Sequence, residues 1–209
     1  MMEVSVIKPD NFGWIESTLD SKQMDFLWKC IDNKKGDYRS KLAGNIGGSY
    51  VIEDKDGWFS RNVLNILVQE YVKNFGNIAE DIPTTQAHPF ILKGLWVNFQ
   101  KQTEFNPYHD HTGVYSFVIW MKIPFDYKDQ VDLPNAKGCN APLNSTFQFY
   151  YTDIFGKFRK HTYRLSRKDE GRIVFFPSSL SHQVYPFYNC DEDRISISGN
   201  ILMDSSKII

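Results

Sequence analysis

The sequence lacks a cysteine framework, a long apolar run and a block of charge of one sign. Its three cysteines, Cys30, Cys139 and Cys190, are far apart and odd in number, which fits a reducing compartment better than a disulfide-bonded fold. No apolar run approaches the roughly 20 residues of a membrane span, and residues 1–4 have neither the basic nor the apolar part of a signal peptide. With a net charge of −1 and no basic block, the chain shows no clear nucleic-acid footprint. We therefore expect a soluble, cytoplasmic protein without a membrane partner.

The composition is that of a globular protein with an excess of aromatic residues. Of the 209 residues, 42% are hydrophobic and 23% are charged, which is enough apolar material for one domain spanning residues 1–209. The 16 phenylalanines, 11 tyrosines and 5 tryptophans favour β-structure, because flat rings fit a pleated, half-buried surface.

The apolar periodicity predicts helices first and strands afterwards. One helix is expected to start near Ser21, with Ser21 as its cap, and a second to run from after Gly57 to Gly76. From about residue 90 the period becomes two, and strands are predicted at residues 95–100, 115–123, 147–152, 159–165, 172–176 and 194–201. The turn from Asp153 to Gly156 indicates a hairpin.

This order of elements predicts a mainly β protein with N-terminal helices. We expect residues 1–89 to form a helical region that packs on a double-stranded β-helix (jelly-roll) core of residues 90–209. Residues 125–145, rich in Asp, Pro and Asn, form a long insertion that is either a lid or a surface loop.

Two histidines one residue apart are the most informative feature of the chain. On an extended segment His109 and His111 leave the same face, and Asp110 points the opposite way. Such a pair is most often an ordinary loop feature, but this one immediately precedes a hydrophobic strand, where a jelly roll holds its ligands. His182 follows another strand and a short polar connection, and as a third spaced histidine it is a candidate ligand. His88 and His161 have no such company and are expected to be structural.

A strand with one polar face follows these histidines. Arg194, Ser196, Ser198 and Asn200 alternate with isoleucines, which ordinarily means a strand with one face in water. An arginine and two hydroxyls in a row also suit the binding of a carboxylate, because the guanidinium is always charged and has a fixed fork of donors. Asn98 and Gln100, on an earlier strand, are weaker candidates to bind the same carboxylate. Three histidines beside an anion clamp are what an Fe(II) oxygenase that consumes an organic acid requires.

Several runs of residues resemble the 2-oxoglutarate/Fe(II)-dependent oxygenases encoded by bacterial viruses, particularly those of marine cyanobacteria. The resemblance covers roughly residues 90–203. It is carried by Trp96-Val97-Asn98-Phe99-Gln100, Glu104-Phe105-Asn106-Pro107 with His109-Asp110-His111, residues 113–124, Phe175-Phe176-Pro177-Ser178 with His182, and Arg194-Ile195-Ser196-Ile197-Ser198-Gly199-Asn200.

The resemblance implies a set of residue roles. In the superfamily a histidine and a carboxylate two positions later bind iron, a distal histidine completes the triad, and an Arg-x-Ser pair holds the far carboxylate of 2-oxoglutarate. These roles fall on His109, His111, His182, and Arg194 with Ser196, so the usual carboxylate position holds His111. Asp110 is the alternative ligand if the backbone bends there.

The function that the resemblance implies is an Fe(II)- and 2-oxoglutarate-dependent dioxygenase that hydroxylates a C–H bond of an unknown substrate. Its partners would be the small-molecule cosubstrate and that substrate, and its location the host cytoplasm if the chain is viral. Two alternatives remain open from the sequence: a jelly-roll binding or structural module, and a cupin-type three-histidine enzyme that does not use 2-oxoglutarate.

Overall fold

A computed structural model describes residues 4–7 and 11–208 of the chain. The strands are β1 (Ile15–Thr18), β2 (Gly48–Val51), β3 (Phe90–Gln100), β4 (Asn106–His109), β5 (Tyr115–Lys122), β6 (Thr146–Thr152), β7 (Phe158–Arg164), β8 (Arg172–Pro177), β9 (His182–Val184) and β10 (Arg194–Met203). The helices are α1 (Ser21–Asp32), α2 (Asn65–Phe75), which a π-helical turn at Ser60–Leu64 precedes, and the short α3 (Tyr127–Val131).

The strands form two antiparallel sheets. The larger has the order β1-β8-β5-β10-β3-β2 and the smaller the order β4-β9-β6-β7. Side chains from both sheets, among them Trp120 of β5, Phe147 of β6 and Phe176 of β8, pack into one apolar cluster between them. The predicted double-stranded β-helix is therefore confirmed, and the hairpin of β6 and β7 lies where its turn predicted it.

The two faces of the larger sheet have different neighbours. Ile195 and Ile197 of β10 and Phe117 of β5 belong to a second apolar cluster, which includes side chains of α1 and α2 such as Leu27 and Leu67. Because side chains alternate along a strand, the other face of β10 points into the space between the sheets. Its polar residues therefore line the interior of the β-helix and do not face water, contrary to the ordinary interpretation of such a strand.

The prediction that the N-terminal third is helical is only partly correct, because this region also contributes two strands. Its strands β1 and β2 pair with β8 and β3 and so form both edges of the larger sheet. The cap of α1 also differs from the prediction: Asp20 accepts a 2.8 Å hydrogen bond from the backbone N–H of Gln23, whose side chain accepts one from Asp20 in return. Asp20 and Gln23 thus form a capping box, in which each side chain accepts a hydrogen bond from the backbone N–H of the other. Ser21 is the first residue of the helix and not its cap.

Within the described part of the chain, no helix is both long and apolar enough to cross a membrane.

Candidate metal centre and anion pocket

A cavity of about 460 Å³ lies between the two sheets. All six residues predicted to bind ligands contribute to its wall: Asn98, His109, His111, His182, Arg194 and Ser196. Residues that are more than 90 positions apart in the sequence thus share one enclosed space.

Backbone pairing brings the three histidines together. His109 ends β4 and His182 begins β9, and the two are directly opposite each other in this antiparallel pair. His111 lies just beyond β4, where its backbone N–H donates to the Ser178 carbonyl at 2.9 Å. The sequence did not predict β4 or β9, because strands of four and three residues are too short to show a period.

The three imidazoles have the spacing of ligands on one ion. Their nitrogens all lie within 4.8 Å of one another, and Nε2 of His111 is 3.2 Å from Nε2 of His182. Two nitrogens at right angles on a first-row metal, each about 2.1 Å from it, are about 3 Å apart. This donor set therefore fits a metal ion.

The ring protons of two histidines are fixed by backbone carbonyls. Nδ1 of His109 is 2.6 Å from the Pro107 carbonyl oxygen, and Nδ1 of His182 is 3.0 Å from that of Leu180. A carbonyl can only accept, so Nδ1 carries the proton and Nε2 keeps its lone pair in both neutral rings. A hydrogen bond of this kind sets the orientation and tautomer of a metal-binding histidine.

Burial keeps the three rings neutral. It lowers the pKa of His111 to about 4, with a smaller contribution from neighbouring His109. The pKa of His182 lies well below its ordinary value, first because of burial and then because His109 and His111 lie beside it. Burial also lowers the pKa of His109, although the Pro107 carbonyl and Asp110 act in the opposite direction. Neutral imidazole is the form that binds a metal.

Asp110 lies at the rim of the cavity but outside the histidine cluster. Its side chain is exposed, whereas His182 is only 4% exposed. Of the two alternatives for the second ligand, this arrangement favours His111.

Arg194 is buried within the β-helix, with 2% of its surface exposed. Its Nε and Nη2 donate to the Gln100 side-chain oxygen at 3.3 and 2.6 Å, Nη2 also donates to the Tyr185 carbonyl at 3.0 Å, and Nη1 donates to that of Ser145 at 3.2 Å. All of these acceptors are neutral, and among the described residues no carboxylate forms an ion pair with Arg194. Burial without a counter-charge lowers the pKa of Arg194 to about 9.

These contacts change the expected form of the anion clamp. Four of the five guanidinium N–H groups already have protein acceptors, which leaves one N–H on Nη1. A two-pronged pair with a carboxylate, as the residue type suggests, does not fit this orientation. The geometry offers an uncompensated positive charge and a single free donor.

The hydroxyl of Ser196 and the amide of Asn98 flank this end of the cavity. The two residues are opposite each other across β10 and β3, two pairs along the register from Arg194 and Gln100 and therefore on the same face of the sheet. The Asn98 side-chain oxygen accepts a 2.7 Å hydrogen bond from the Ser49 hydroxyl on β2, so its amide group is held in place.

Both ends of the insertion at residues 125–145 contact Arg194. The Phe125 ring centroid is 5.9 Å from the guanidinium carbon, and the Ser145 carbonyl accepts from Nη1. The Gln130 side chain donates to and accepts from the backbone of Tyr188, at 2.8 and 2.9 Å, which anchors the segment.

Two contributors to the cavity were missed by sequence reasoning. One is the segment at residues 38–46, where Tyr38 stacks on Trp96 with ring centroids 4.8 Å apart. The other is Asn106, whose amide nitrogen is 3.1 Å from Nε2 of His109. Asn106 lies in a run that carried the family resemblance, but nothing in its spacing indicated that it faces the histidines.

The fold and the site together are those expected of a metal-dependent enzyme. Three histidines and a buried arginine surround one cavity in a double-stranded β-helix. The comparison with known families is more specific. Residues 94–200, just over half of the chain, match the model of a family described as "Putative 2OG-Fe(II) oxygenase", so this chain belongs to that family. Its cofactors are accordingly Fe(II) and, as cosubstrate, 2-oxoglutarate.

Solved structures confirm the fold. HygX from Streptomyces hygroscopicus, crystallised with nickel, 2-oxoglutarate and hygromycin B, superposes with a TM-score of 0.54 at 8% identity, over 93% of this chain and 84% of that one. SnoN, the non-heme alpha ketoglutarate dependent epimerase from nogalamycin biosynthesis, gives a TM-score of 0.53 at 14% identity, over 93% and 79% of the two chains. At such identities the likeness concerns the fold alone.

A match to a curated protein is confined to a segment. Over 77 residues the chain is 38% identical to the UDP-N-acetylenolpyruvoylglucosamine reductase of Flavobacterium johnsoniae, which is 32% of this chain and 23% of that enzyme. The chain thus matches about a quarter of the reductase, and the activity of the reductase is not carried over.

Proposed function

We propose that this oxygenase is a hydroxylase, which couples decarboxylation of 2-oxoglutarate to oxidation of a C–H bond. The observation that carries the proposal is one cavity that contains both a cluster of three neutral imidazoles and a buried arginine with no anionic partner among the described residues. A structural metal site would not need an uncompensated cation beside it.

The residues have separate tasks in this proposal. His109, His111 and His182 hold Fe(II) on one side and leave its remaining positions open. Arg194 and the Ser196 hydroxyl hold the distal carboxylate of 2-oxoglutarate, through charge and the one free N–H. Phe147 and Trp120, which line the same cavity, exclude water from the reacting groups. Bound Fe(II) supplies oxygen activation, with 2-oxoglutarate converted to succinate and carbon dioxide.

The direct test is an anaerobic titration of 2-oxoglutarate into the Fe(II)-loaded protein. We expect a visible charge-transfer band, because the chelated keto acid accepts electron density from Fe(II). Protein with Fe(II) alone and protein with 2-oxoglutarate alone are the controls and should show no band. Absence of the band at saturating cosubstrate would exclude the proposed chemistry and favour a cupin-type or structural role.

The second ligand is tested by exchanging the two candidate residues. Asp110→Asn keeps the size of the side chain and removes its charge, so we expect iron to stay bound and activity to change modestly. His111→Ala should lose iron, because it removes an imidazole from the cluster. Metal content after dialysis measures both. If Asp110→Asn loses iron and His111→Ala keeps it, the assignment is reversed.

The lowered histidine pKa values predict how Fe(II) affinity depends on pH. A site of unshifted imidazoles loses metal affinity below a pH of about 6.5, by up to about tenfold per histidine for each pH unit. Because burial lowers all three pKa values, protons should compete with the metal only at lower pH. We expect Fe(II) affinity to fall less between pH 7.5 and 6 than it would at a site of unshifted imidazoles. A fall as large as unshifted imidazoles predict, measured anaerobically by competition with a chelator, would contradict the lowered pKa values.

Three further points extend the proposal. The motif resemblance supports an origin in a bacterial virus, and the cysteine pattern supports a cytoplasmic location. The two edge strands contributed by residues 1–89 support one domain that includes the whole chain.

A further inference from the structure

The side chain of Asn106 contacts the metal-binding atom of His109. Its Nδ2 is 3.1 Å from His109 Nε2, while His109 Nδ1 is 2.6 Å from the Pro107 carbonyl oxygen. Since the carbonyl fixes the ring proton on Nδ1, Nε2 is an acceptor. The group that faces it must therefore be the NH₂ end of the amide, which settles an orientation that is often ambiguous.

The other end of the same amide has no partner. Asn106 Oδ1 is buried and accepts no hydrogen bond from the described residues. The segment at residues 38–46 closes over it: a Cβ placed on Gly44 would clash with the Phe105 carbonyl oxygen and would lie 2.6 Å from Asn106 Oδ1. Nothing at the oxygen end thus determines how the amide is turned, and the contact with His109 is what orients it.

Nε2 of His109 has one lone pair, and two groups require it. The lone pair accepts the Asn106 N–H in this structure, and a metal ion held by the histidine cluster requires the same lone pair. Loading the site therefore releases an amide N–H about 3 Å from a coordinating nitrogen. That is also the separation between ligands on adjacent positions of a metal ion. The released donor lies on the wall of the cavity that also contains Arg194.

We propose that Asn106 passes its hydrogen bond from His109 to the metal-binding carboxylate of 2-oxoglutarate and so orients the cosubstrate on the iron. The inference rests on the proposed function, because it needs both ligands in this cavity. Asn106 would then act beside the three histidines, and its amide N–H would donate to the carboxylate of 2-oxoglutarate on the side of the site next to His109. A neutral donor at this position attracts the carboxylate of the cosubstrate, whereas an aspartate would repel it.

This role has effects of opposite sign on the two ligands. Without the amide, Nε2 of His109 is free from competition, so metal affinity should stay the same or increase. The carboxylate of 2-oxoglutarate loses a charge-assisted hydrogen bond, which corresponds to about tenfold weaker binding or more. A merely structural asparagine would weaken both ligands together, because its loss would disturb β4 and the histidine cluster.

The experiment compares Asn106→Ala, Asn106→Asp and the parent protein without oxygen. Fe(II) affinity is measured by competition with a chelator, and 2-oxoglutarate affinity by titration of the charge-transfer band. We expect Asn106→Ala to bind Fe(II) at least as tightly as the parent and 2-oxoglutarate at least tenfold more weakly. Asn106→Asp keeps the shape, replaces the donor with a negative charge, and should bind metal more tightly still and 2-oxoglutarate more weakly than the alanine variant.

Asn62→Ala is the control, since the Asn62 amide donates to the Trp58 carbonyl on an exposed helical turn away from the cavity. It should leave both affinities unchanged. Equal 2-oxoglutarate affinity in Asn106→Ala and the parent overturns the inference, as does a parallel loss of both ligands in both Asn106 variants. A parent protein that shows no band at all instead refutes the proposed function, so the two failures are distinguishable.

Discussion

Replacing His182 with alanine is expected to abolish stoichiometric Fe(II) binding while leaving a folded β-protein. His182 is the most buried of the three histidines, and its ring is next to both others, with centroids 4.3 Å from His109 and 4.9 Å from His111. The two remaining imidazoles, at the end of β4 and just beyond it, would hold the ion with two ligands instead of three, so its affinity should fall steeply. Metal content after anaerobic reconstitution and desalting measures the loss.

The substitution also leaves space in the core, so its effect on folding needs a control. The His182 ring packs against Phe147 and Phe176, with centroids 5.4 and 5.3 Å away. Some loss of stability is therefore expected, and far-UV circular dichroism should show whether the sheets persist. His161→Ala is the control for iron binding: it removes an exposed strand histidine that contacts Trp14 and Tyr163 and lies outside the cluster. Full iron occupancy in folded His182→Ala would remove this residue from the site.

Replacing Arg194 with alanine should lower the affinity for 2-oxoglutarate by about 30-fold or more without displacing iron. Truncating one partner of a desolvated, charged hydrogen bond costs about 2–5 kcal/mol, and the lower part of that range already corresponds to a factor of about 30. The cation has no carboxylate partner among the described residues, so its whole charge is available to the cosubstrate. Titration of the charge-transfer band in Fe(II)-loaded protein measures the change.

Arg194 also supports the fold, which complicates the simple substitution. Alanine leaves Gln100 and the carbonyls of Ser145 and Tyr185 without their donor, and each buried acceptor without a partner costs about 1–3 kcal/mol. Arg194→Lys keeps a positive charge but cannot satisfy these acceptors in the same geometry, so it too should bind 2-oxoglutarate more weakly.

Ser196→Ala separates binding from folding. Ser196 shares the cavity face with Arg194, and its removal should weaken 2-oxoglutarate by several-fold without loss of structure. If Arg194→Ala remains folded and binds 2-oxoglutarate as tightly as the parent, the distal carboxylate is held elsewhere.

The predictions from sequence succeeded where the signal was local. The strand patterns predicted β5, β6, β7, β8 and β10 to within one or two residues, because all of them except β7 bury at least one face along most of their length. The helical period likewise predicted α1 and α2. Short elements without a period were missed: β1, β2, β4 and β9 have three or four residues each and form through pairing with distant strands.

What the sequence determined by itself is the inventory of chemical groups: three spaced histidines, an arginine on an alternating strand, and the runs that match the oxygenase family. The tertiary structure decided which groups meet. Burial between the sheets turned the polar face of β10 inward, left Arg194 without a counter-charge, and used most of its N–H groups on Gln100 and two carbonyls. Pairing of β4 with β9 placed His109 opposite His182, and the fold brought the Asn106 amide to Nε2 of His109 beneath residues 38–46. The reason is that hydrogen-bond partners and burial are properties of segments that are distant in sequence, whereas a pattern along the chain reports only on its neighbours.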